Sequence, residues 1–108
     1  MLEQEIKNNI LEYLMFRRDV FVFPIDSVGI FDPIRKIYRK KNSRFHIKGV
    51  SDILGITSKG VFLAIEVKSE KGAVRPDQKI FLDRISEMGG ISFVARSVSD
   101  VVSALADI

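Results

Sequence analysis

The feature that most constrains the fold is a pair of apolar, β-branched runs joined by only three residues. The runs cover residues 52–57 and 61–67, and the loop between them reads Ser-Lys-Gly. A three-residue hairpin loop of this kind places its last residue in the left-handed region, which glycine adopts without strain. The two runs are therefore predicted to form an antiparallel hairpin in which Thr57 faces Val61.

The same register brings two carboxylates together. Counted down the hairpin from its loop, Asp52 is predicted to lie directly opposite Glu66. Opposed residues share a face with their Cβ atoms about 5 Å apart, and the alternation of a strand puts Lys68 on that face beside Glu66. Two opposed carboxylates repel each other, so a hard cation such as Mg²⁺ between them is favoured. The alternative is that the two carboxylates form ordinary salt bridges with Lys48 and Lys68.

The rest of the chain predicts an α/β domain with elements in the order α-β-β-β-α-β-α. The predicted elements outside the hairpin are a helix over residues 2–16, a strand over 20–23, a helix from Pro76, a strand over 91–95 and a last helix capped by Ser99. Residues 26–48 show no periodicity and are expected to be a long connection. The apolar face of the second helix is expected to consist of Ile80, Phe81, Ile85 and Met88. Because both faces of the hairpin are apolar, helices are expected to cover the sheet on both sides.

Composition narrows the class of protein. A chain of 108 residues with 46% hydrophobic residues suits one domain with its own core, here residues 1–108. The absence of cysteine excludes disulfides and thiolate metal sites. No apolar run approaches the roughly 20 residues of a membrane span, so a soluble intracellular domain is expected.

The positive charge is concentrated in one segment of the chain. Seven of the 17 basic residues lie between positions 35 and 48, where there is no acidic residue, and the other ten face 14 acidic residues. This basic segment consists of Arg35, Lys36, Arg39, Lys40, Lys41, Arg44 and Lys48. Such a concentration indicates contact with a phosphate backbone, and the alternative is a solvated loop. The one histidine, His46, is interpreted as a surface or phosphate contact rather than a catalytic base.

The order of short motifs resembles a known nuclease family. Gly49 and Asp52 form a G-x-x-D motif, Glu66 and Lys68 form an E-x-K motif, and Gln78 lies at the start of the next helix. This arrangement resembles the VRR-NUC (virus-type replication-repair nuclease) branch of the PD-(D/E)XK nucleases. The resemblance implies a restriction-endonuclease-like fold, in which helices flank a central mixed sheet.

The resemblance also implies roles for individual residues. Asp52 and Glu66 would bind Mg²⁺ or Mn²⁺ together with the backbone carbonyl of Val67. Lys68 would activate or orient the attacking water, and Gln78 would support the active site and the bound phosphate.

The family has a further glutamate in its first helix, for which Glu3 and Glu5 compete. The spacing to Ile6 in the family favours Glu3, and helix geometry agrees because Glu3 falls on the apolar stripe.

The expected function is therefore metal-dependent, structure-selective cleavage of branched DNA, such as a four-way (Holliday) junction. Small members of this family form homodimers, and the apolar residues expected at such an interface are Val28, Ile30, Phe31 and Ile34. The cytoplasm of a bacterial or phage-infected cell is the expected location. The alternative is a non-catalytic nucleic-acid-binding module on a nuclease fold. An RNA-directed enzyme of the transfer-RNA endonuclease type is disfavoured, because such sites rely on histidine.

Overall fold

In a computed structural model of this protein, the helices pack on a four-stranded mixed sheet. The structure describes residues 1–26, 33–34 and 44–108 in full, and the backbone of residues 30–32 and 37–39. The elements are α1 (Glu3–Met15), β1 (Val20–Pro24), β2 (Ile30–Asp32), β3 (Ile37–Arg39), β4 (Ile53–Thr57), β5 (Phe62–Val67), α2 (Pro76–Glu87), β6 (Ile91–Ala95) and α3 (Val98–Ala104).

The sheet has the strand order β1-β4-β5-β6. Strands β1, β4 and β5 are antiparallel neighbours, whereas β6 is parallel to β5 and follows it after the crossover helix α2. Helices lie on both faces of this sheet. The predicted α/β class and the restriction-endonuclease-like arrangement are thereby confirmed.

The hairpin of β4 and β5 has the predicted register. Its ladder pairs Ile56 with Phe62 and Ile53 with Ile65. Gly60 ends the three-residue loop with a φ of 79°, the left-handed conformation expected of that position. The turn is therefore fixed by local chemistry, and it sets which residues meet at the other end of the hairpin.

The main core lies on one face of the sheet, between β-strands and helices α1 and α3. Its buried members are Ile6, Ile10, Leu14, Val22, Ile53, Leu63, Ile65, Val67, Ala95, Val101 and Leu105. Helix α2 covers the opposite face, where the Ser92 hydroxyl donates a 2.6 Å hydrogen bond to the carbonyl of Leu82. Each face of β5 is thus covered by a different helical layer, which explains its continuous apolar sequence.

Helix α2 packs on β5 and β6, and several side chains of β1 and β4 on the same face of the sheet are exposed. Four large apolar side chains there form what we call the open half-face: Phe21 and Phe23 of β1, Ile56 of β4, and Phe62 at the adjoining start of β5, which are between 42% and 69% exposed. The rings of Phe21 and Phe23 lie side by side, with centroids 6.3 Å apart.

Two predictions about the elements themselves were wrong. The connection over residues 26–48 contains the hairpin of β2 and β3, whose three-residue strands are too short to show alternation in the sequence. The last helix is capped by Ser97 rather than Ser99. Ser97 has an extended backbone, and its hydroxyl accepts a 3.2 Å hydrogen bond from the amide of Asp100.

The predicted apolar face of α2 was also wrong in part. Ile80 is 59% exposed and Met88 is 89% exposed, whereas Gln78 and Leu82 are the buried residues of the helix. Gln78 faces the sheet, where its Nε2 donates a hydrogen bond to the buried carboxylate of Glu66, and a pattern of apolar residues cannot predict such a contact. Within the described ranges, no helix is both long and apolar enough to cross a bilayer.

Candidate active site

The two carboxylates meet at the end of the hairpin away from its loop. Asp52 directly precedes β4, and its Oδ2 accepts a 2.9 Å hydrogen bond from the backbone N–H of Val67. This bond extends the pairing beyond the last ladder pair and places Asp52 across from the end of β5. The predicted juxtaposition of Asp52 with Glu66 therefore has a backbone anchor in the structure.

Glu66 is a buried acid with an unusual proton affinity. It is 1% exposed, and burial together with the neighbouring Asp52 carboxyl raises the pKa of Glu66 to about 8. Its Oε2 accepts a 3.2 Å hydrogen bond from Nε2 of Gln78. Its Oε1 is buried with no hydrogen-bond partner in the described part of the chain. A buried acceptor without a partner is costly, and a cation beside Asp52 would satisfy it.

Lys68 lies on the same face, immediately after β5. Its backbone N–H donates a 3.1 Å hydrogen bond to the carbonyl of Ala95, so the parallel pairing with β6 continues past the strand end. Its Nζ is 4.0 Å from Oε2 of Glu66, and the whole residue is buried. The positive charge of Lys68 lowers the pKa of Glu66, but burial and Asp52 together raise that pKa by more.

Gln78 connects the start of α2 to the carboxylates. Its Oε1 accepts a 3.0 Å hydrogen bond from the N–H of Arg75, while its Nε2 holds Glu66. The amide group therefore caps the helix and fixes one oxygen of the acid at the same time. The expectation that Gln78 supports the active site and a bound phosphate stays a prediction, and the contact that the structure shows is the one with Glu66.

Gly49 packs the loop before Asp52 against the start of α2. Its φ is 75°, and a Cβ atom at this position would lie 2.4 Å from the backbone carbonyl of Asp77. No other residue type fits this contact without displacing the loop or the helix. The G-x-x-D motif thus places Asp52 relative to the helix that holds Glu66.

An open cavity of about 520 Å³ adjoins Asp52 and reaches helix α1. Glu3 lines this cavity from the first residue of α1, and its charge adds to the rise in the pKa of Glu66. Across the fully described ranges, no cluster of three or more acidic or histidine side chains suited to a metal ion is found. Asp52 and Glu66 therefore stand as a pair, with Glu3 at the rim.

Sequence reasoning missed Lys7, which also lines the cavity and is half-buried. The signal for it was available, since Lys7 lies one helical turn after Glu3 and so on the same side of α1.

Most of the basic segment lies outside the described residues. This applies to Arg35, Lys36, Lys40 and Lys41 and to the side chain of Arg39, and likewise to the expected interface residue Val28 and the side chains of Ile30 and Phe31. Arg44 and Lys48 are exposed, as are His46 and Ile34. The guanidinium carbon of Arg44 lies 4.8 Å from the ring centroid of Phe45.

A family model for the VRR-NUC domain matches residues 30–99, which include the carboxylate pair, Lys68 and Gln78 but not Glu3. Searches of curated proteins and of solved structures return no match.

Proposed function

Because the chain belongs to the VRR-NUC family of nuclease domains, we propose that it is a Mg²⁺- or Mn²⁺-dependent endonuclease that hydrolyses phosphodiester bonds of branched DNA. Residues 1–108 would form one nuclease domain. The observation that carries the proposal is the buried Glu66 next to Asp52: one oxygen of Glu66 has no hydrogen-bond partner among the described residues, and the ammonium group of Lys68 lies 4.0 Å from its other oxygen.

The residues at this position fit a divalent cation. Asp52 and Glu66 are hard oxygen donors, and the carbonyl of Val67 would join them as a third ligand. A cation held there would supply positive charge to polarise a phosphoryl oxygen and to lower the pKa of a water. Ionised Glu66 is the binding form, so the neutral acid favoured in the metal-free fold would release its proton on binding.

The chain's own groups would then orient the reaction. The ammonium of Lys68 donates hydrogen bonds, so it would hold the attacking water and offset the negative charge that develops on the phosphate. Its backbone bond to Ala95 and its burial restrict where Nζ can go. Gln78 would keep Glu66 in a single orientation through the 3.2 Å bond to Oε2.

DNA binding would come from charge on the basic segment. Arg44 and Lys48 are its exposed members in the fully described ranges. Contacts between basic side chains and phosphates carry no sequence information, so discrimination would rest on the shape of the DNA. A four-way junction is the proposed substrate, in the cytoplasm of a bacterial or phage-infected cell.

A homodimer would match the two-fold symmetry of such a junction, since one site per chain must cut two strands. The open half-face of Phe21, Phe23, Ile56 and Phe62 supports this assembly. The three phenylalanines are 69%, 43% and 42% exposed, which leaves roughly 300 Å² of aromatic surface for the apolar centre of an interface that covers roughly 800 Å² on each partner. Light scattering of the wild type and of Phe21→Ser tests it: the wild type should be a dimer and the variant a monomer.

The activity is tested by incubating the protein with labelled four-way, flap and linear DNAs in Mg²⁺, in Mn²⁺ and in EDTA. Symmetric cuts in the junction that require the metal are expected. Binding without cleavage in either metal would contradict the proposal and favour a non-catalytic nucleic-acid-binding module. Cleavage of all three DNAs at equal rates would contradict junction selectivity alone.

A further inference from the structure

We infer that Lys7 binds a phosphate group of the DNA strand next to the phosphate that is cut, an assignment that rests on the proposed nuclease function. Lys7 lies in α1, outside the basic segment and outside the residues 30–99 that match the family. Lys7 would thereby hold the strand in the cavity beside Asp52.

The first observation is that Lys7 does not form the ion pair its sequence spacing favours. A glutamate four residues before a lysine is the best helical spacing for such a pair, and Glu3 holds that position. The same kind of spacing does pair Lys79 with Asp83, at 3.3 Å. No ion pair of Lys7 with any fully described residue is found. Its Nζ instead donates a long 3.5 Å hydrogen bond to the carbonyl of Ile25.

The second observation is the charge of the cavity. The carboxylates of Glu3 and Asp52 line it, and Lys7 is the one cation among its described lining residues. These carboxylates would repel a phosphate in the cavity, so a positive charge is needed there to offset the repulsion. An ammonium group has three donors, and one long bond to a carbonyl leaves the others available for phosphate oxygens.

The third observation is position. The cavity is continuous from Asp52 to Lys7, so a strand whose scissile phosphate lies at the carboxylate pair has space to continue toward α1. Lys7 is half-buried there, unlike the exposed Arg44 and Lys48. A half-buried charge is less screened by salt than an exposed one, so one such contact can carry more discrimination than a surface lysine.

The test replaces the charge and keeps most of the length of the side chain. Lys7→Gln is compared with Lys59→Gln, which removes an exposed lysine from the loop at the far end of the hairpin. The expected result for Lys7→Gln is a loss of about ten- to a hundred-fold in kcat/KM, as for a lost charge-assisted hydrogen bond. In the Lys68→Ala background, the slope of log affinity against log salt should become shallower by about 0.7–0.9, the value for one phosphate. Lys59→Gln should change neither quantity.

A second measurement identifies the phosphate. Junctions are prepared with one uncharged methylphosphonate at each position in turn around the cut site. At one position, the methylphosphonate should weaken DNA binding by the wild type as much as Lys7→Gln does. It should not weaken binding by the Lys7→Gln variant any further, because both changes remove the same contact. Additive effects at every position, or equal behaviour of Lys7→Gln and Lys59→Gln, would overturn the assignment. A wild type that cleaves no DNA would refute the nuclease function instead, and the salt slope would still decide whether Lys7 contacts phosphate.

Discussion

Replacement of Glu66 by glutamine should stabilise the metal-free protein, and by an amount that depends on pH. Glutamine keeps the size of the side chain and an acceptor for Gln78, but it cannot ionise. The pKa of Glu66 rises from 4.5 to about 8 in the fold, so the unfolded chain releases this proton at lower pH than the folded chain does. The free energy of unfolding of the wild type should therefore fall between those two pH values, while that of Glu66→Gln lacks this contribution.

The size of the effect follows from the pKa difference. Each pKa unit corresponds to about 1.4 kcal/mol. Between pH 4.5 and about pH 7, the free energy of unfolding of the wild type should therefore fall by on the order of 3 kcal/mol, because Glu66 ionises in the unfolded chain and not in the folded one. At about pH 7 and without metal, Glu66→Gln should accordingly be about 3 kcal/mol more stable than the wild type. Below pH 4.5 the two proteins should have similar stability, because the acid is protonated whether the chain is folded or not.

Urea unfolding followed by circular dichroism, in EDTA and over this pH range, measures the difference. The matched control is Glu87→Gln at an exposed position of α2, which should leave the wild-type pH profile in place. Added Mg²⁺ should raise the stability of the wild type at neutral pH and leave Glu66→Gln unchanged. A stability difference between wild type and Glu66→Gln that stays constant with pH would refute the reasoning.

Three further changes probe the rest of the site. Lys68→Ala should lower the cleavage rate by about 10²–10⁴-fold while junction affinity stays near the wild-type value, and near-wild-type turnover would remove its assigned role. Asp52→Asn should stabilise the metal-free fold, abolish cleavage and eliminate the rise in melting temperature that Mg²⁺ gives the wild type, and equal rises in both proteins would exclude the metal site. Gly49→Ala should destabilise the fold by about 2 kcal/mol or more because its Cβ meets the backbone of Asp77, whereas Gly60→Ala, with a similar φ and open space around it, should cost about 1 kcal/mol. Urea melts that rank the two glycine variants the other way would contradict the contact.

The parts of the fold that could be predicted are those set by local chemistry. The three-residue loop fixes the register of β4 and β5, and that register alone brings Asp52 toward Glu66. Strand β6 and the start of α2 at Pro76 also followed from sequence signals within a few residues. These predictions depended on no contact between distant parts of the chain.

The parts that could not be predicted depend on tertiary contacts. The burial of Gln78 reflects its bond to Glu66, and no pattern of apolar residues reports such a bond. Lys7 could have been paired with Glu3 as easily as directed toward Ile25, and only the fold decides between them. The position of Glu3 at the cavity likewise depends on where α1 packs, although family spacing and helix geometry already favoured Glu3 over Glu5.

The contacts around the carboxylates form a closed ring. Gly49 packs on Asp77, Gln78 of the same helix holds Glu66, and the next residue, Val67, holds Asp52, three positions after the glycine. These contacts join the loop before β4, the end of β5 and the start of α2, so the backbone amides of the three segments are expected to be protected together against exchange with solvent. Gln78 can reach Glu66 only after α2 has docked on the hairpin, so a partly folded chain would already hold its two acids opposite each other but would leave the Glu66 side chain without its fixed orientation.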